Sequence, residues 1–183
     1  MADNIMPFKG VWPTIDPSVF LAPTASVIGD VEIGAETNIW FGCLVRGDMN
    51  VIRIGTRVNI QDLTVVHVDS QKYGTFIGDN VTIGHAAVIH ACTLEDRCFV
   101  GMQACVMDGA VVESGAMVAA GALVPPGKRV PAGQLWAGTP ARYLRDCGDQ
   151  EKDMIDRIPK SYGQLAKDYM EAGIGVTGGG EGG

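Results

Sequence analysis

The chain has 183 residues, 46% of them hydrophobic but only 7% aromatic, and a formal net charge of −7. That length suits one domain with a terminal appendage, and its core must be made mostly of small aliphatic side chains. The acidic balance gives no electrostatic basis for binding nucleic acid or an anionic membrane, and no run of 18 apolar residues offers a membrane-spanning helix.

The opening, MADNIMPFKGVWP, lacks a signal-peptide pattern, so a cytoplasmic protein is expected. Residues 1–20 read as a lead-in strand or cap. From Leu21 an aliphatic residue recurs every sixth position: Leu21, Val27, Ile33, Ile39, Val45, Val51. A three-residue shift moves the frame to Ile54, Ile60 and Val66, and after a longer interruption it resumes at Ile77, Ile83 and Ile89. One residue is then dropped, and Leu94, Val100, Val106, Val112, Val118, Val124 and Val130 follow, ending at Trp136. Glycine often comes next, as in IGAETN and IGTRVN, and small or β-branched residues such as Ala25, Thr64, Ala87 and Ala104 stand four places on. This period fits neither an amphipathic helix nor an indefinitely alternating strand. It fits a triangular coil whose sides are short strands and whose corners are tight turns, with each aliphatic residue stacked on its counterpart about 4.8 Å away. The expected fold is therefore mainly β, a parallel β-helix of hexapeptide repeats over residues 21–138.

Residues 139–174 leave the coil through WAGTPARYLR and then carry Met154, Ile155, Ile158, Tyr162, Leu165, Tyr169 and Met170 at helical spacing. Pro159 is expected to interrupt this helix, with Ser161 and Gln164 as a capping box that restarts it. Residues 175–183, glycine-rich, are expected to be disordered. The five cysteines form no CxxC pair and read as reduced, mostly buried side chains.

The three histidines lie within 24 residues of one another. A lone histidine is more often structural than a ligand, but here the hexad frame relates them. His67 and His90 each follow an inward aliphatic by one place, on the same side of the triangle one coil apart, so two imidazoles can share a metal. His85 falls on the neighbouring side, from which it could reach a metal held by an adjacent subunit of a three-fold assembly. With the three-residue shift taken as a corner insertion, Arg46 joins the column of His67 and His90, and Asp62 falls under His85. Arg46, Asp48, Asn59, Gln61, Asp62 and His67 thus concentrate on one stretch of surface, where carboxylates and Arg can fix register and aim the ligands.

Together the repeat, RGDMNVIRIGTRVNIQD, the histidine in VVHVD, the pair in IGHAAVIHA and the exit GTPAR closely resemble the gamma-class carbonic anhydrase family, including its short bacterial members. The resemblance implies a left-handed coil and a homotrimer, with His67 and His90 from one subunit and His85 from the next. It implies zinc, with ferrous iron or cobalt as alternatives, and reversible hydration of CO2 to bicarbonate by hydroxide generated at the metal. It further implies that Gln61 neighbours the metal's water and Asn59 lines the site. Arg46, Asp48 and Asp62 would form a salt-bridged support, and Tyr162 would approach the metal from the helical tail. The chain departs from the best-studied family pattern at proton transfer: Met49 stands where those relatives carry a glutamate, and the loop DSQKYGTF holds only Asp69 as an acid. The alternatives are a hexapeptide-repeat acyltransferase or coenzyme A thioesterase, and a catalytically silent trimer with a structural metal. Gln61 and an open fourth ligand position favour chemistry, because structural zinc is normally closed by four protein ligands.

Overall fold

The structure, a computed structural model, describes residues 4–177. Three stacks of inward aliphatic side chains run its length. The first side stacks Val27, Val45, Val66, Ile89, Val106 and Val124. The second stacks Ile15, Ile33, Ile54, Ile77, Leu94, Val112 and Val130. The third stacks Leu21, Ile39, Ile60, Ile83, Val100, Val118 and Trp136. Apart from Ile15, every one is buried. The backbone hydrogen bonds run between successive coils, so each short strand is completed only by its neighbours above and below.

The coil starts earlier than the repeat suggests: Thr14–Ile15, inside the expected lead-in, already pairs in parallel with Glu32–Ile33. The insertion near residue 51 is a bulge in the long strand Leu44–Ile54. Gly47 pairs with Gly29 and Ile52 with Val31, so Asp48–Val51 stand where the coil below has Asp30 alone. Val51, counted above as a hexad position, is only half-buried, and its neighbour Ile52 turns inward instead. The bulge carries Asp48 out of the wall of the first side.

At the far end Gln134–Ala137 turns back to pair antiparallel with Arg142–Asp146 and closes the open edge of the third side. Helix α1 (Asp149–Glu171) then returns along the third side. Val176–Thr177, in the segment expected to be disordered, pairs antiparallel with Phe20–Leu21 at the coil's start, and residues 178–183 lie outside the described residues. The expected break at Pro159 does not occur. Pro159 sits inside one continuous helix and is buried with Ile155 and Ala166 against the coil. Loss of its N–H costs about 3 kcal/mol in an isolated helix, but burial of the apolar stripe on both sides of it offsets that. Ser161 and Gln164 cap nothing: Ser161 Oγ donates to Arg157 O at 3.1 Å, and Gln164 Nε2 donates to Asp168 at 2.9 Å. The cap lies instead at Gly148, whose N–H donates to Glu151 Oε2 at 2.8 Å while Arg145 holds both carboxylate oxygens. Among the described residues no helix is long and apolar enough to cross a membrane.

Ile89 lies fully buried between Val66 and Val106, in the strand that also carries His90. Ile89→Ala should lower unfolding free energy by about 2–5 kcal/mol, measured by urea denaturation at fixed protein concentration. A change below about 0.5 kcal/mol would show that the stack does not carry the fold.

Candidate metal centre

His67 and His90 end the parallel strands Val65–His67 and Val88–His90 and pair directly with each other. Because strand side chains alternate, the inward turn of Val66 and Ile89 points both imidazoles outward. Their ring centroids are 5.2 Å apart, and His67 Nδ1 faces His90 Nε2 at 3.3 Å.

Each outer nitrogen meets a carboxylate. His67 Nε2 lies 3.1 Å from Asp48 Oδ1, and His90 Nδ1 lies 2.6 Å from Asp108 Oδ1. An ionised carboxylate only accepts, so the imidazole protons belong on these outer nitrogens. The inner nitrogens are then both bare, with lone pairs facing across 3.3 Å, a contact that repels unless a cation lies between them. Two ligands of tetrahedral zinc, each about 2.0–2.1 Å from the metal, sit about 3.3–3.4 Å apart, so the pair fits such an ion. Asp48 stays charged although burial opposes it. Hydrogen bonds from His67 and Arg46, with Arg46's charge, hold its carboxyl below the usual range. The bulge in Leu44–Ile54 brings Asp48 to His67.

Asp108 was not singled out from the sequence. The signal was present: Val106 stacks on Ile89, so Asp108 lies just past the position above His90. An acid there was readable as a partner for the ring.

His85 stands on the corner after Thr82–Ile83, its Nδ1 2.9 Å from Asp62 Oδ2, as the register implied. Gly84 before it has no room for a side chain, since a Cβ would come within 2.6 Å of Met102 N. His85 therefore sits on a corner pressed against the next coil. It does not join His67 and His90. Among the described residues no three His, Cys, Asp or Glu side chains converge on one point, so within one chain the His67–His90 pair and His85 stand apart.

The remaining expected residues divide. Arg46 and Asp48 form an ion pair, but Asp62 belongs to His85 and not to that pair. Asn59 and Gln61 are not on a solvated face: both are buried on the third side, the side covered by α1, which the sequence could not reveal. Gln61 Nε2 donates to Asn59 Oδ1 at 3.0 Å, and Asn59 Nδ2 donates to Asn38 Oδ1 at 2.6 Å. Trp40 Nε1 also donates to Asn38 Oδ1, at 2.9 Å. Asn38 Nδ2 is left buried without a partner, a loss on the order of 1–3 kcal/mol. Tyr162, on α1, packs edge-on against Trp40 with ring centroids 5.4 Å apart. Burial, and secondarily the charge of Asp62, raise its hydroxyl above the usual range. Met49 is exposed, and Asp69 accepts the backbone N–H groups of Gln71 and Lys72, so it shapes its own loop.

No family model matches the chain. A mitochondrial gamma carbonic anhydrase 2 of Arabidopsis thaliana is 52% identical over 160 residues, covering 85% of this chain and 58% of that protein. A carbonic anhydrase of Geobacillus kaustophilus is 41% identical over 165 residues, 90% of each chain. The chain thus spans only about six tenths of the plant relatives it matches, but nearly all of the bacterial one. A crystal structure of a hexapeptide transferase family protein from Anaplasma phagocytophilum superimposes with a TM-score of 0.88 at 45% identity, over 92% of this chain and 99% of that one. The coil is accordingly the left-handed hexapeptide β-helix. With an identity of 41% extending across nine tenths of both chains, this protein belongs to the gamma carbonic anhydrase family.

Proposed function

We propose that the chain is a metal-dependent carbonic anhydrase that acts as a homotrimer, hydrating CO2 reversibly, with zinc, ferrous iron or cobalt held between subunits. The observation that carries this reading is the pair of bare nitrogens, His67 Nδ1 and His90 Nε2, facing each other at 3.3 Å while His85 points to a different place. His67 and His90 of one subunit and His85 of the next would hold the metal. A divalent zinc held there by three neutral imidazoles would lower the pKa of water to near neutrality and so supply the nucleophile for CO2.

The chain's own groups do the rest. Asp48 and Asp108 keep the imidazole protons on the outer nitrogens and fix both rings, and Asp62 does the same for His85. Gln61 lies beneath Gly84 in the stack and enters the site with His85, offering its side-chain amide to substrate or water. An outward apolar column of Leu44, Val65, Val88, Cys105 and Leu123 runs beside the histidine pair, and the neighbouring Leu63 is 66% exposed. Such a strip suits burial against a second copy. Met49 carries no ionisable group and Asp69 is engaged by the backbone of its own loop, so in this reading external buffer takes the proton.

Stopped-flow CO2 hydration on metal-quantified protein tests the reading. Activity should require metal and vanish in His90→Ala. A fully metallated protein no faster than that variant would reject the reading and leave thioester hydrolysis or a structural metal to be tried. Subunit sharing has its own check: co-refolded His85→Ala and His90→Ala chains, each inactive alone, should recover about a quarter of wild-type activity. One ordered pair in four then has an intact site, whereas a site within one chain would recover none. Asp108→Asn should weaken metal affinity or activity by about 10–100-fold, read by chelator competition. The kcat should rise with imidazole buffer concentration while kcat/KM stays constant. A kcat indifferent to buffer would reveal an internal proton route.

A further inference from the structure

The row of amides beneath α1 has only one consistent direction. Trp40 Nε1–H is a donor and nothing else, so the atom of Asn38 that faces it at 2.9 Å must be the oxygen. That same oxygen faces Asn59 at 2.6 Å, which makes the facing atom of Asn59 its NH2. Asn59 must then turn its oxygen to Gln61, and Gln61 must turn its NH2 back at 3.0 Å. Reversing Asn38 or Asn59 would set donor against donor or acceptor against acceptor in a space closed to water, and reversing Gln61 would set its oxygen against that of Asn59.

A second observation shows that the direction is held against a cost. Asn38 Nδ2 is buried with no acceptor. Flipping Asn38 would move that amide toward Trp40 and Asn59, both donors, so the unpartnered position is the one that the relay permits. Among the described residues the only buried side-chain polar atoms without partners are Asn38 Nδ2 and Thr82 Oγ1. Gln61 Oε1 receives no hydrogen bond either, and it therefore opens onto solvent as a bare acceptor.

We infer that Trp40 and Asn38 are positioning residues: the indole N–H, relayed through Asn38 and Asn59, turns Gln61 so that its carbonyl oxygen, not its NH2, is presented at the site. A carbonyl acceptor there takes a hydrogen bond from water or from the acidic O–H of bicarbonate and orients it. A presented NH2 would donate to those oxygens instead. The inference rests on the proposed carbonic anhydrase reading for its effect on rate, but the direction of the relay does not.

Two readouts separate these. Gln61 side-chain amide signals, recorded by nitrogen-15 NMR on the intact protein with Gln-selective labelling, report the relay with or without activity. The CO2 hydration rate at measured metal content reports its use. In Trp40→Phe the ring packing is largely kept and the donor is lost. The Gln61 NH2 signals should move toward those of a free amide, and kcat/KM should fall by about 10- to 100-fold with metal content unchanged. In Trp40→Phe/Asn38→Asp, studied at a pH above the titration of the new carboxyl as followed by NMR, an ionised carboxylate stands at the relay's head and only accepts from Asn59. The double variant should recover the wild-type Gln61 signals and most of the lost rate. A packing role for Trp40 predicts no such rescue. Unchanged Gln61 signals in Trp40→Phe, or signals that Asn38→Asp fails to restore in a folded double variant, would overturn the relay. Restored signals without any CO2 hydration in wild type would keep the relay and remove the proposed function.

Discussion

The stacking of one aliphatic side chain on the next, a strand spacing of about 4.8 Å along each side, is the constraint on which everything else depends. Because Val66 must sit on Val45 and under Ile89, the residues on either side of these are also locked in register, and His67 meets His90 without any choice left to the side chains. The buried stack is apolar and nearly continuous, so a one-residue slip would turn a whole strand inside out. That rigidity suits a site whose geometry must be held to fractions of an ångström. It also explains why departures from the six-residue period are placed where they are. The bulge at Asp48–Val51 lies at a corner, where the coil tolerates extra chain, and it delivers a carboxylate to a histidine.

Tautomer control is the next layer. An imidazole by itself leaves open which nitrogen carries the proton, and two adjacent imidazoles would ordinarily share one hydrogen bond. Asp48 and Asp108 remove that freedom by accepting from the outer nitrogens, so the inner pair becomes a preformed place for a cation. His85 does not join this pair, as it is turned to Asp62 on another side of the triangle.

The helix makes the third side different from the other two. It returns from the coil's last turn to its first, buries Ile155, Pro159 and Ala166, and closes Trp40, Tyr162 and Tyr169 over a row of amides that would otherwise face water. Out of water, those amides lose their alternatives and acquire a fixed direction. The same burial that allows Pro159 within a helix thus turns Asn38, Asn59 and Gln61 from a polar surface into an ordered relay.

The hexad pattern alone determined the coil, its register apart from Val51, the adjacency of His67 and His90 and the placement of Asp62 under His85, because each column can be counted along the chain. The insertion before Ile54 was also readable as a corner event. What could not be read depended on contacts between distant segments. Pro159 signals a break when only local hydrogen bonds are considered, and it is packing against the coil that keeps α1 whole. Asn59 and Gln61 read as surface because nothing local says that residues 149–171 will cover them. The start of the coil at Ile15 and the pairing of Val176–Thr177 with Phe20–Leu21 likewise arise from edges that become available only once the coil exists. Local periodicity sets what stacks on what. Burial by remote elements decides which polar groups lose water, and so which of them can hold a single direction.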